Sequence, residues 1–270
     1  MISTQEKLRR LKAMLVQMDS IVVAYSGGVD STLLLKLCSD VLEGRVLAVT
    51  AVSPTYPSQE IAGATEVARS LSARHLVIET KELEDANFVA NSPERCYYCK
   101  LELFGELGQI AREQGMRNVV DGSNYDDLGD YRPGMRAADE LGVRRPLQEA
   151  RLTKDEIRLL SRELGLPTWN KPSLACLASR FPYGTPITKQ SLATVEEAET
   201  FLHSLGIGQL RLRHYDRMAR IEVEPQQMHL LLEERNRQRI VTRLKELGYV
   251  YITLDLAGYR TGSMNEGLYL

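Results

Sequence analysis

The run Ser26-Gly27-Gly28-Val29-Asp30-Ser31 follows directly on the apolar stretch Ile21 to Tyr25. It restricts the fold more than any other feature of the chain. A short β-branched run ended by glycines reads as a buried strand, and a helical pattern from about Ser31 to Asp40 follows it. The backbone must therefore turn sharply from strand to helix. Gly27 and Gly28 permit that turn and allow close approach to an anion. Backbone N–H groups, the hydroxyls of Ser26 and Ser31 and the positive helix end can together hold phosphate. Asp30 can hold Mg²⁺ or orient the serines. The lysine of a Walker A loop is missing, so this is a different phosphate loop.

The pattern around it is βα alternation. A first helix opens on a capping box of Ser3 and Glu6 and carries Leu8, Leu11, Leu15 and Met18 at helical spacing. After the loop and its helix come a strand at Arg45–Val52 and a helix at Ser58–Leu71. A buried strand follows at His75–Glu79, then helical stretches at 82–90 and 97–114 and a strand at Arg117–Asp121. A short helix lies near Gly134–Leu141. A second capping box, Thr153 with Glu156, opens a helix closed by Gly165 and Pro167. Such alternation predicts an α/β fold, a parallel sheet with helices on both faces and its ligand at the carboxyl ends of the strands. Prolines 167, 172, 182 and 186 mark a change of pattern. The expected division is residues 1–170, a linker at 171–186, and a smaller α+β domain at 187–270. The second domain reads as helix 189–204, strands 209–214 and 218–224, helices 226–233 and 235–247, and strand 250–256.

The balance of 34 basic and 36 acidic residues gives a net charge of −2. A nucleic-acid footprint normally needs a basic face, so no nucleic-acid partner is expected. No apolar run approaches the ~20 residues of a membrane span, and the polar start MISTQEKLRRLKAM lacks a signal-peptide core. A cytoplasmic protein is expected, with no membrane partner and its four cysteines reduced. Cys38 lies among Leu34, Leu35 and Leu37 and reads as core. Cys96-Tyr97-Tyr98-Cys99 is a C-x-x-C at a helix start, a spacing shared by zinc, redox and iron–sulfur sites. Cys176 sits in the Pro-bounded run Asn170 to Arg180, near Lys171 and Arg180. That setting suits a reactive or ligating thiol, and equally a small buried residue between Leu174 and Leu177.

The Ser26–Ser31 motif resembles that of the PP-loop ATP pyrophosphatases. The resemblance implies ATP cleavage between the α and β phosphates. It also implies an adenine site near Ala24, Thr50, Ala51 and Val52, with Asp121, Gly122, Ser123 and Asn124 contributing from the fourth strand. The Cys176 junction with Phe181-Pro182-Tyr183-Gly184, the stretch Asp126 to Gly134, and Gly258-Tyr259-Arg260-Thr261-Gly262-Ser263 together resemble the LarE family of sulfur transferases. That likeness covers essentially the whole chain. It implies adenylation of the carboxylates of pyridinium-3,5-biscarboxylic acid mononucleotide and their conversion to thiocarboxylates, in making the nickel-pincer nucleotide of lactate racemase. ATP and Mg²⁺ are then the cofactors, a small nucleotide the substrate, and a homo-oligomer, a hexamer in the family, the assembly. Family members draw sulfur either from a sacrificed cysteine matching Cys176 or from a 4Fe-4S cluster held by three cysteines. The presence of Cys96 and Cys99 beside Cys176 favours the cluster, since three thiolates leave one iron open. A tRNA thiolase would share the activation chemistry but would require a basic stripe.

In the second domain, Arg211 and Arg213 alternate on one strand face opposite Glu222. They suit either cross-strand ion pairs or a phosphate site. The family resemblance points to the phosphate of the substrate, with Arg180, Arg211, Arg213 and Arg260 as its candidates. Glu199 and Glu222 are candidates to hold a metal or orient those arginines.

Overall fold

The computed structural model describes residues 2–129, 133–172, 175–260 and 262–263. Asp130, Tyr131, Arg132, Ser173, Leu174 and Thr261, which carry part of the family likeness, lie outside them. The described residues separate into two compact units. One holds residues up to 88 and from 93 to 172, and the other holds residues 89–92 and those from 175 onward.

The first unit contains α1 (Thr4–Met18), β1 (Ile21–Ala24), α2 (Val29–Leu42), β2 (Val46–Val52), α3 (Ser58–Ser70) and β3 (Arg74–Glu79). A short α4 (Ala86–Val89), α5 (Arg95–Glu113), β4 (Asn118–Val120), α6 (Gly134–Glu140), α7 (Pro146–Glu149) and α8 (Lys154–Glu163) follow. The four strands form one parallel sheet in the order β3-β2-β1-β4. Strand alternation sends Ile21, Val23, Val46 and Ala48 to one face, into a core with Leu11 and Leu15 of α1 and Leu33, Leu34, Leu35 and Leu37 of α2. Val22, Leu47 and Val49 point the other way, to Leu103, Phe104 and Leu107 of α5. With apolar residues on both faces, β1 has no polar positions, which is why it reads as an unbroken apolar run.

Three details depart from the sequence expectation. The strand beginning near His75 is not buried; among the described residues β3 pairs only with β2, and as an edge strand it leaves Leu76 and Val77 exposed. The stretch 82–90 is not one helix. It is a 3-10 turn at Glu82–Glu84, an extended Asp85 (ψ 115°) and α4. The helix expected from 97 begins at Arg95, so both cysteines of the C-x-x-C lie within it.

The second unit contains α9 (Lys189–Ser204), β5 (Leu210–Tyr215), β6 (Met218–Val223), α10 (Met228–Leu232), α11 (Glu234–Glu246) and β7 (Tyr251–Leu254). Its sheet is mixed: β5 pairs antiparallel with β6, and β6 pairs parallel with β7. Residues 89–92 join this unit because the buried Asn91 amide donates to the carbonyls of Pro182 at 2.8 Å and Thr185 at 3.0 Å. No described helix is long and apolar enough to cross a membrane.

Candidate active site

Strand order reverses at β1, where β2 lies on one side and β4 on the other. In open parallel sheets this switch point opens a crevice at the strand ends. The loop after β1 fills it. Gly27 adopts φ +68°, and a Cβ there would lie 2.6 Å from Ala64 Cβ on α3. Gly28 caps α2, placing Asp30 and Ser31 in its first turn. The loop folds on itself: the Ser26 N–H donates to Ser31 Oγ at 3.3 Å, and the two serine hydroxyls lie 3.1 Å apart. From the β4 side, Gly122 comes so close that a Cβ would stand 3.0 Å from the Ser31 nitrogen. These contacts give the loop a fixed shape with the α2 N-terminus behind it.

Two lysines brace the loop, and neither is part of its motif. Lys154, the first residue of α8, reaches the Asp30 carboxylate through Nζ. Its backbone N–H donates to Asp126 at 2.7 Å. Lys171 donates to the Gly27 carbonyl at 3.0 Å and pairs with Glu60 at 2.7 Å. Burial raises the Asp30 carboxyl above the usual range, and Lys154 opposes that rise. Asp30 Oδ1 is buried with no hydrogen-bond partner among the described residues. An unsatisfied buried carboxylate oxygen beside a phosphate loop suits a hard divalent cation.

Beside the loop a cleft of about 120 Å³ opens, lined by Ala24, Ser26, Thr50, Ala51, Tyr56 and Lys100 among others. Of the residues expected from sequence at an adenine site, Ala24, Thr50 and Ala51 line this cleft and Val52 does not. The buried Thr50 hydroxyl donates to the Tyr25 carbonyl at 2.8 Å and meets His75 Nε2 at 2.8 Å. Burial lowers the His75 pKa. Asn124 is turned into its own loop: its Oδ1 accepts from the Asp126 N–H and its N–H donates to Asp127. Asp121 likewise accepts from the Ser123 N–H at 2.9 Å.

Cys96 is exposed and Cys99 half-buried, three residues apart in the first turns of α5, so they share a face. The Tyr56 hydroxyl lies 4.0 Å from Cys99 Sγ. Cys38 is fully buried in the core, and burial pushes its thiol strongly up. No group of three or more His, Cys, Asp or Glu side chains is gathered as a metal site among the described residues. Within the first unit, Cys96 and Cys99 present thiols at a spacing that metal and iron–sulfur sites use.

In the second unit, Cys176 is half-buried and opens a 3-10 turn at Leu177–Arg180. Arg180 is 1% exposed and pairs with Glu199 through Nε and Nη2, at 3.0 and 2.8 Å. Arg213 pairs with Glu222 at 2.7 Å, and Arg220 reaches the other oxygen of Glu222 at 2.9 Å. Glu199 and Glu222 therefore hold arginines here. Arg211 is buried, donates to the Leu210 carbonyl at 2.6 Å and lies 5.1 Å over the Tyr259 ring. Burial and the neighbouring Arg180 guanidinium lower its pKa. Arg260 donates to the Gly258 carbonyl at 3.2 Å. Arg180, Arg213 and Arg220 are thus each paired with a buried carboxylate.

Sequence reasoning did not find Lys154. Its capping box was legible and places it at a helix start, but no local pattern links that helix to Asp30, 124 positions earlier. Lys171 was noted only for the charge it lends the Cys176 junction.

The NAD synthase family profile matches residues 4–99. An uncharacterized protein of Synechocystis sp. is 42% identical over 264 residues, 98% of each chain. The pyridinium-3,5-bisthiocarboxylic acid mononucleotide synthase of Lactiplantibacillus plantarum is 40% identical over 269 residues, 99% of this chain and 97% of its own. An uncharacterized protein of Methanocaldococcus jannaschii is 31% identical over 241 residues, 89% of this chain and 91% of its own. Identity of this order, extending through both units and joined to a phosphate loop at the switch point of a parallel sheet, shows that the chain belongs to the LarE family of PP-loop ATP-dependent sulfurtransferases.

Proposed function

We propose that the chain converts the carboxylates of pyridinium-3,5-biscarboxylic acid mononucleotide to thiocarboxylates, at the expense of ATP. The observation that carries this reading is the near full-length identity to the synthase of L. plantarum, whose name states the bisthiocarboxylic product. ATP is placed with its base in the cleft at Ala24, Thr50 and Ala51 and its phosphates along Ser26–Ser31. Asp30 would hold Mg²⁺, which would screen the phosphate charge, and Lys154 and Lys171 balance negative charge around the loop. A substrate carboxylate oxygen attacks the α-phosphorus, and pyrophosphate leaves. The acyl adenylate turns a poor leaving group into AMP, which sulfur then displaces. The second carboxylate repeats the cycle. The loop's task is to position ATP and spread the charge that develops on its phosphates.

Cys96, Cys99 and Cys176 are the proposed ligands of a 4Fe-4S cluster. When bound, the cluster would supply sulfide from the iron that no cysteine occupies. The protein's own contribution is to present the thiolates, and Arg211 and Arg260 hold the substrate phosphate. Anaerobic purification with iron and sulfide analysis, followed by the protein mass after turnover, tests the sulfur source. Iron with an unchanged mass supports the cluster. Loss of H₂S from the polypeptide, leaving dehydroalanine at Cys176, shows sacrifice of that cysteine instead.

A further inference from the structure

We infer that two buried arginine–carboxylate pairs of the second unit, Arg180–Glu199 and Arg213–Glu222, form a cradle fixing the turn that carries Cys176. Arg180 is then a positioning residue and not a ligand of the substrate phosphate, and Arg213 helps to hold the same turn. The inference rests on the reading of Cys176 as the working thiol.

All three guanidinium nitrogens of Arg180 are engaged. Nε and Nη2 hold the two oxygens of Glu199, while Nη1 donates to the Ala175 carbonyl at 2.7 Å, the Cys176 carbonyl at 3.0 Å and Ser179 Oγ at 3.0 Å. At 1% exposure the guanidinium has no open face for a substrate. Arg213 takes the next acceptor of the same turn: its Nη1 donates to the Ser179 carbonyl at 2.9 Å. Its Nη2 holds Glu222 at 2.7 Å and Ser263 Oγ at 2.8 Å. The carboxylates are anchored in turn. Glu199 Oε1 accepts the Leu212 N–H of β5 at 2.8 Å, and Glu222 is wholly buried on β6. The backbone on both sides of the Cys176 side chain is thus tied to α9, β5 and β6 by charge-assisted bonds.

Packing alone does not call for this. Apolar side chains of similar volume would join α9 to β5 equally well, without the desolvation of two buried ion pairs. They could not supply the donor that the Ala175 carbonyl takes from Arg180; the Cys176 carbonyl accepts the Ser179 N–H as well, at 3.0 Å. Holding a reacting group to within a fraction of an ångström is the function such a frame serves.

The test uses the full chain with Arg180→Lys and, separately, Glu199→Gln. Lysine keeps the charge but cannot bridge Glu199 and the carbonyls together. Two readouts are taken. The first is iodoacetamide labelling of Cys176 in the cluster-free protein, followed by peptide mass spectrometry with exposed Cys96 as internal reference. The second is the separation of kcat from KM for the mononucleotide. The cradle predicts faster labelling of Cys176 relative to Cys96, and a kcat reduced by about a hundredfold with KM near the wild-type value. A raised KM with kcat and labelling unchanged would make Arg180 a phosphate ligand and overturn the inference. Unchanged labelling and kinetics would overturn it too. If Arg180→Lys does not fold, Glu199→Gln decides by the same readouts, since it removes a charge but keeps an acceptor for the Leu212 N–H. Sulfur transfer that survives Cys176→Ser overturns the role of the thiol, whereas the labelling rate separately tests the geometry of the cradle.

Discussion

Substituting the two loop glycines separately should uncouple stability from nucleotide binding. Gly27 sits at φ +68°, in the left-handed region, where a Cβ costs about 1–2 kcal/mol. The added methyl would also stand 2.6 Å from Ala64 Cβ and 2.8 Å from Ala64 Cα. These are fixed atoms of α3, with no flexible chain to swing aside. Overpacking of this kind costs about 1–3 kcal/mol. Together Gly27→Ala should lose about 2–5 kcal/mol, a large share of the ~5–15 kcal/mol that holds an ordinary domain. Gly28 differs in both respects. Its φ is −80°, and a Cβ meets only Ser26 Oγ, at 3.3 Å. Gly28→Ala should lose about 1 kcal/mol, the cost of alanine in place of glycine at an N-cap. Its methyl nevertheless crowds the hydroxyl that faces Ser31, so ATP binding should weaken. Urea unfolding measures the first quantity and calorimetric titration with Mg-ATP the second. Equal stability losses in the two variants would refute the account of the loop, as would undiminished ATP affinity in Gly28→Ala.

Other expectations follow from the same geometry. Lys154→Met removes the cation that opposes the burial-driven rise of the Asp30 carboxyl, so that carboxyl should rise further. Since Mg²⁺ requires the ionised form, the acidic limb of the pH–rate profile for pyrophosphate release should move to higher pH; an unmoved limb would disconnect Asp30 from the rate. The stability effect has the same origin. A carboxyl raised above its unfolded value makes the fold lose stability as pH climbs through the interval between the two values, and Lys154→Met should widen that interval. Asp30→Asn should abolish pyrophosphate release, and wild-type release would remove Asp30 from the site. Cys176→Ser should still release pyrophosphate but form no thiocarboxylate, as read by mass spectrometry of the nucleotide. Cys38→Ala should leave the iron content of anaerobically purified protein unchanged, because Cys38 is sealed in the core.

The strand-to-helix turn at Ser26–Ser31 was legible because its constraint is local: glycine conformations and a helix start lie within six residues. The parallel sheet was legible for the same reason, since apolar runs and capping boxes repeat in chain order. Edge position was not. The β-branched and apolar residues of β3 look like those of a central strand, and only strand order makes it an edge. Lys154 and the Arg180 network were hidden because they depend on contacts between distant segments. The four arginines were named as a group, but sequence alone could not divide guanidiniums tied to carboxylates from those that meet a ring or a backbone carbonyl. Arg211 and Arg213 share a strand face, yet one lies over Tyr259 and the other is paired with Glu222.

In the proposed function, ATP cleavage and sulfur transfer to a carboxylate are one coupled reaction. The most direct measurement incubates the anaerobically purified protein with Mg-ATP and pyridinium-3,5-biscarboxylic acid mononucleotide, and quantifies AMP, pyrophosphate and thiocarboxylate together. The account predicts one AMP and one pyrophosphate for each carboxylate converted, and none without the mononucleotide. Formation of AMP and pyrophosphate with no sulfur in the nucleotide, or thiolation of added tRNA in its place, would contradict it.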